Sequence, residues 1–250
     1  MPLFNLNKSE FCNTMKIKSI FFALAFLSIT GWNWGPLSFI LGPSVTIPRG
    51  AEQWVANHST IINSQANNID PTVLKMSLAA YIRARQQGLD NKGLLTIIDY
   101  SKPSTERRLW VVDLRTDRVL FNTWVTHGKN SGELQATSFS NEPGSLKSSI
   151  GVFLTVGEPY VGSNGYSLRL LGLQPGVNDN AYRRDIVFHG AWYANPHVAL
   201  QYRELGRSWG CPAVSEEAAR PLINTIRDKT LVFVYYPDRH WLNNSAFLTG

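Results

Sequence analysis

The sequence predicts a mainly β domain, a sandwich or open barrel with one late helix, preceded by a short helical hairpin. Three observations carry that expectation. Apolar residues recur at helical spacing before Gly88. From Leu94 onward they fall in short β-branched and aromatic runs separated by turn residues. A single helical signature then returns after Ser215. Runs of strands closed by one helix argue against alternating β-α units.

The elements follow in order. Trp54, Val55, Ile61 and Ile62 mark a helix from Ala51 to about Ile69. A second helix begins with Asp70 as N-cap and Pro71 at its first position, buries Val73, Leu74, Leu78, Tyr81 and Ile82 on one face, and ends at Gly88. Together residues 51–90 form an accessory hairpin expected to cover one side of the sheet. Leu95–Ile98 is the first strand, and Leu109–Leu114 and Val119–Val125 are joined through Arg115, Thr116 and Asp117 as a hairpin. The section His127–Ser149, rich in Gly, Ser and Asn, reads as loop. Strands resume at Gly151–Val156, Tyr166–Leu171 and Ile186–Phe188. Ser215 caps a helix running to about Arg227, with Glu216 and Glu217 well placed in its first turn. Thr230–Tyr236 is the last strand, so the main domain spans 94–238.

Hydrophobic residues make up 44% of the 250 and charged residues 17%, the balance of a globular chain and not of a disordered one. The net charge of +6 suits an anionic neighbourhood such as a membrane surface or a cell wall. The basic residues are scattered and no nucleic-acid module is recognisable, so nucleic acid is not an expected partner. Near the N-terminus Lys16 and Lys18 precede the apolar run Ile20–Leu27, the pattern of an export signal, too short to span a bilayer comfortably. Met15 is an alternative start. No small-residue cleavage site follows, and apolar residues continue through Trp32, Trp34 and Phe39. Residues 1–35 are therefore read as an export signal or an uncleaved membrane anchor, placing the protein in the periplasm or cell envelope, with 36–50 as a linker.

Cys12 and Cys211 are the two cysteines, and loss of the leader would leave Cys211 alone in an oxidising compartment. Such a thiol is either buried and inert or reactive for a purpose. Its surroundings leave both readings open. The run Ile186-Val187-Phe188-His189-Gly190 puts an imidazole at a strand end, and Gly206-Arg207-Ser208-Trp209-Gly210-Cys211-Pro212-Ala213 presents the thiol in a glycine-flanked turn before a helix. The thiolate is the nucleophile, so its pKa of about 8.5 is expected to fall through an adjacent imidazolium or a helix N-terminus. The backbone N–H groups of Gly210 and Cys211 are candidates for an oxyanion site.

Two other chemistries are weaker. Gly206-Arg207-Ser208-Trp209-Gly210 matches the G-x-S-x-G nucleophile elbow, but neither the preceding parallel sheet nor adequate downstream acid and base follow. His127, His189 and His197 lack the i, i+4 helical spacing of a zinc site, so no metal is expected.

The His-Gly and S-x-G-C segments resemble the L,D-transpeptidase (YkuD-type) catalytic domain, specifically its murein L,D-transpeptidase branch. The likeness extends over Thr126-His127-Gly128, Phe139-Ser140-Asn141, Lys147-Ser148-Ser149-Ile150-Gly151-Val152-Phe153, Ser167-Leu168-Arg169-Leu170 and Gly206–Ala213. The resemblance implies a β-rich YkuD-type fold and a nucleophilic Cys211 that attacks the peptide bond after the third residue of a peptidoglycan tetrapeptide stem. D-alanine leaves, a thioester forms, and an acceptor amine or water resolves it. His189 is implied as the base, its other ring nitrogen oriented by a backbone carbonyl. Ser208 shapes the turn, Gly210 supplies a backbone donor, and Gly190 lies beside substrate. Arg207 is the candidate for a substrate carboxylate and Trp209 for an apolar wall. No cofactor is implied, and carbapenem β-lactams are expected acylating agents. The better-known branch often carries His before the Gly-Cys pair and Asn or Arg two residues after the cysteine. Trp209 and Ala213 stand there in this chain. Alternatives are an L,D-carboxypeptidase using water as acceptor, and a catalytically silent wall-binding module.

Overall fold

The computed structural model describes residues 45–66, 68–90 and 92–249. The expected export signal or anchor, and the linker as far as residue 44, lie outside the described residues. Among those described, no helix is long and apolar enough to cross a membrane.

Helix α1 spans Glu52–Gln65 and α2 spans Pro71–Gln86. Asp70 caps α2 as its sequence position foretells, its carboxylate accepting from the N–H groups of Thr72 and Val73 at 2.7 and 3.2 Å. Eight strands follow: β1 Leu94–Asp99, β2 Leu109–Asp113, β3 Arg118–Thr123, β4 Gly151–Gly162, β5 Gly165–Gly172, β6 Val187–Gly190, β7 Ala213–Val214 and β8 Leu231–Tyr235. All belong to one sheet of order β3-β2-β1-β8-β4-β5-β6-β7, which is the open form of the expected β architecture. The neighbours are antiparallel except for β1 with β8 and β6 with β7.

Strand side chains alternate between two cores, and covering both faces explains why β1, β2 and β8 are buried at every position. Leu95, Ile97, Trp110, Val112, Leu231 and Phe233 pack with Val55, Ile62, Leu74 and Leu78 of the hairpin. Ile98, Val111, Phe153, Val232 and Val234 pack on the opposite side with Leu222, Ile223 and Ile226 of α4 (Glu216–Ile226). The hairpin thus covers one sheet face, as expected, while Cys211 belongs to the other core.

The structure adds elements beyond the expected set. β4 runs on to Gly162, past a register shift between Val156 and Tyr160, and turns through two residues into β5. A short helix α3, Pro196–Tyr202, precedes the nucleophile segment, and α5 (Arg239–Asn244) and α6 (Ala246–Thr249) close the hairpin-side core with Trp241, Leu242 and Phe247. β6 begins one residue later than expected and includes His189 and Gly190, because pairing with β5 and β7 carries it to the edge of the sheet.

Candidate active site

The site is assembled at the β6–β7 edge. His189 stands opposite Ser167 of β5 and opposite Ala213 of β7, so the residues preceding Ala213 run alongside β6. On its far side the nucleophile segment pairs with 126–129. Ser208 N–H donates to the His127 carbonyl at 3.0 Å, Lys129 N–H to the Ser208 carbonyl at 2.7 Å, and Thr126 N–H to the Ala213 carbonyl at 2.9 Å. Cys211 is therefore held between two backbone segments rather than on a free loop.

Side chains lock the turn. Ser208 Oγ donates to the Cys211 carbonyl at 2.6 Å and accepts the Gly210 N–H at 3.1 Å. Ser148 Oγ donates to the Gly210 carbonyl at 3.2 Å and accepts from Gly128 N–H at 2.9 Å. Gly210 has φ +124°, and a Cβ there would lie 2.7 Å from the Lys147 carbonyl oxygen. Only glycine fits that position without strain. The Gly210 N–H is thus consumed inside the turn, which corrects the expectation that it faces an oxyanion. No hydrogen bond from the Cys211 N–H is found among the described residues.

Cys211 is 7% exposed. Its sulfur accepts from Val187 N–H and donates to the Asp185 carbonyl, each at 3.5 Å. Burial pushes the thiol up to about 11, and the Val187 N–H and the Arg184 guanidinium oppose that rise. His189 is 4% exposed, and burial lowers its pKa while the Gly190 carbonyl, 3.0 Å from Nδ1, works in the other direction. Burial thus favours the neutral form of both groups. The expected lowering of the thiol pKa by an imidazolium or by the α4 N-terminus is thereby corrected: the sulfur meets β6 backbone, and α4 is capped by its own Ser215, which accepts from Ala218 N–H at 3.3 Å. The expected orientation of His189 by a carbonyl matches the geometry. With Nδ1–H donated to Gly190, Nε2 is left as the basic nitrogen.

The remaining predicted residues divide. Trp209 is 76% exposed beside the nucleophile, where a side chain can form a rim. Arg207 lies near Glu204 (3.7 Å) and donates to the Gly132 carbonyl at 3.4 Å, and its side chain is partly exposed. Gly190 is held to glycine by packing: a Cβ there would come within 2.9 Å of Ala219 Cβ and 3.2 Å of Glu216 Cα in α4. His127 is buried and structural. It accepts from Arg108 at Nδ1 (2.8 Å), reaches the Gly132 carbonyl through Nε2 (3.2 Å), and is held near 4 by burial and by that guanidinium. Arg108 itself is fully buried, brought down to about 10 by desolvation, and stacked 5.0 Å from the Tyr100 ring. His197 lies exposed on α3. Among the described residues no three His, Cys, Asp or Glu side chains group in a way that would hold a metal ion.

Sequence reasoning placed Ser148 within the Lys147–Phe153 likeness without giving it a role, and missed Arg184. Arg184 lies in the loop before β6 and donates through Nη1 to the Ser140 carbonyl and Ser149 Oγ, both at 2.6 Å, and through Nη2 to the Lys147 carbonyl (2.7 Å) and Ser145 Oγ (3.1 Å). Its sequence, Tyr182-Arg183-Arg184-Asp185, has the look of a solvated loop, and nothing local signals the long-range partners.

Comparison with known proteins gives one family. A model of the L,D-transpeptidase catalytic domain (YkuD_2) matches residues 65–235. No curated protein matches the chain. Solved structures that resemble it include an L,D-transpeptidase from Mycobacterium smegmatis, with 14% identity over 58% of this chain and 59% of that one, at a TM-score of 0.33. An L,D-transpeptidase (Yku) from Stackebrandtia nassauensis has 13% identity over 78% of this chain and 97% of that one, at a TM-score of 0.35. The structure of LdtMt1 in complex with imipenem has 15% identity and a TM-score of 0.35 over 57% of this chain. This chain spans 59% of the length of that protein.

Proposed function

Since this chain belongs to the L,D-transpeptidase catalytic domain family, we propose that it is a cysteine acyltransferase acting on peptidoglycan stem peptides, with Cys211 as nucleophile and His189 as general base. The observation that carries this reading is the His189 tautomer: Nδ1–H is committed to the Gly190 carbonyl at 3.0 Å, leaving Nε2 as a base on the strand beside the nucleophile turn.

In the proposed reaction the sulfur attacks the carbonyl carbon of the third stem residue as the thiol proton passes to His189 Nε2. The developing oxyanion takes the Cys211 N–H. The C–N bond then breaks, the departing D-alanine amine receives the proton from His189, and a thioester remains on Cys211. An acceptor amine adds to the thioester carbonyl with His189 again as base, and the C–S bond breaks to restore the thiol. Ser208 and Ser148 keep the turn rigid, since each bonds a backbone group of Gly210 or Cys211. Carbapenems would acylate the same sulfur by opening of the lactam ring. The export signal or anchor read in residues 1–35 would deliver the domain to this substrate, which cell fractionation of the full chain tests.

Incubation of the full chain with disaccharide-tetrapeptide, followed by intact mass and small-product analysis, tests the function. A Cys211-dependent acyl adduct with release of D-alanine is expected, and Cys211→Ala abolishes both. 3→3 dimers among the products identify an amine acceptor, and tripeptide alone identifies water. Equal inertness of wild type and Cys211→Ala, with the thiol shown to be reduced, overturns the reading in favour of a wall-binding module.

A further inference from the structure

Arg184 is half-buried, and each of its four terminal N–H groups already has an oxygen acceptor from the 140–149 loop. None of those four acceptors is a carboxylate. A guanidinium so occupied cannot fork onto a substrate carboxylate without giving up these bonds. What it still presents is charge.

The chain and the 140–149 loop each tie Arg184 to the nucleophile turn. On the chain side, Arg184 immediately precedes Asp185, whose carbonyl accepts the Cys211 thiol proton at 3.5 Å. On the loop side, Arg184 Nη2 holds the Lys147 carbonyl, the same oxygen that packs against Gly210 closely enough to exclude a Cβ. The charged and titratable groups acting on the thiol from the surrounding elements are Asp185 before β6, Tyr193 in the turn Trp192–Ala194, Tyr100 after β1, and Arg184. His189 on β6 is neutral over the range in which the thiol titrates. Asp185 is drawn off by an ion pair with Arg169 at 2.6 Å. Arg184 is the one permanent cation in the set.

We propose that Arg184 is a positioning residue that fixes a positive charge beside Cys211, stabilising the sulfur anion that forms as the proton leaves for His189 and pinning the 140–149 loop against the nucleophile turn. The proposal rests on the reading of Cys211 as nucleophile but not on the identity of the acyl donor. It gives the neutral resting pair a source of stabilisation for the charge-separated state. An opposite charge at short range typically moves a thiol or carboxyl pKa by about 1–3 units.

The test is the rate of Cys211 alkylation by iodoacetamide in the full chain, with Cys211→Ala subtracting any reaction at Cys12. Below its midpoint a thiol alkylates in proportion to its thiolate fraction. Arg184→Gln and Arg184→Met are expected to lower the rate at fixed pH by about tenfold, corresponding to a midpoint about one pH unit higher. Arg184→Lys is expected to restore it to within about threefold. A merely structural role predicts the opposite sign, because a loosened loop exposes the thiol and accelerates alkylation. A Ser145→Ala, Ser149→Ala double variant separates the two roles further, losing thermal stability while keeping the charge and the wild-type rate. Folded Arg184→Gln or Arg184→Met with an unchanged or faster rate overturns the proposal. If neither neutral variant folds, Arg184→Lys decides: a tenfold loss there shows that charge alone is not what the thiol uses. Failure of the stem-peptide adduct in wild type, with this rate pattern intact, would remove the acyl donor and leave Arg184 in its role.

Discussion

His189→Ala separates general-base catalysis from thiol activation. In the structure the thiol sits at about 11 and the imidazole below its ordinary 6.5, so at neutral pH both are uncharged. At pH 7.5 about one Cys211 in three thousand is thiolate, against about one in eleven for a solvent thiol at 8.5. Ionisation alone therefore makes iodoacetamide alkylation about 300-fold slower than for an exposed cysteine. Because His189 is already deprotonated wherever the thiol titrates, its removal leaves the alkylation-against-pH profile of Cys211 nearly in place, with a change below about twofold. Acylation is different, since the proton must go somewhere as the S–C bond forms. Loss of a positioned base costs about 100- to 10,000-fold. The paired assay is thus alkylation rate from pH 6 to 10 and adduct formation with disaccharide-tetrapeptide at pH 7.5, on wild type and His189→Ala. A wild-type alkylation midpoint near 6 or 7 that moves above 8 in the variant would refute the neutral pair and restore a thiolate–imidazolium pair.

Two further outcomes follow from the same geometry. His127→Asn should flatten the acid limb of stability: His127 titrates near 4 in the fold and at 6.5 in the unfolded chain, so the unfolded chain binds more protons between those values. The contribution is complete above 6.5 and is lost as pH falls toward 4, about 3 kcal/mol across the window, which urea unfolding at stepped pH measures on both proteins. Gly210→Ala forces an L residue to φ +124° with its Cβ 2.7 Å from the Lys147 carbonyl. A destabilisation of about 1–3 kcal/mol in urea is expected, together with loss of acyl adduct; full activity at wild-type stability would show that the turn tolerates a side chain.

What the sequence made legible was local or carried by a motif. Asp70 and Pro71 announce α2 because capping chemistry is decided within four residues. His189-Gly190 and Ser208–Cys211 stand out because the turn needs a small residue at φ +124° and a hydroxyl that can bond both the Gly210 N–H and the Cys211 carbonyl. β7 was invisible because two residues carry no period. The outer half of β4 was missed because Glu158–Gly162 is mostly solvent-facing and broken by a register shift, so it lacks the apolar alternation that marks a strand. α5 is short, and its Trp241 gains its place from partners far away in sequence, among them Gln174 Oε1 at 3.1 Å from its indole nitrogen. Arg184 belongs with these, since its four acceptors lie 35 to 44 residues earlier in the chain.

The energetic logic of the site runs against the usual picture of a catalytic cysteine kept as thiolate. Burial holds Cys211 protonated, and a protonated thiol is slow toward oxidants and disulfides, whose reactions require the thiolate. That matters for a chain in which Cys211 is the one free thiol among the described residues. Under the proposed mechanism the nucleophile would be generated only as proton transfer to His189 and attack on a carbonyl occur together, with the Val187 N–H already at the sulfur to meet the charge that transfer creates. Selectivity in such a site comes from coupling. On the proposed mechanism, a bound acyl group that offers its carbonyl to the Cys211 N–H would turn a protonated thiol into an acceptor of acyl groups, and a molecule without that carbonyl would leave the proton on sulfur.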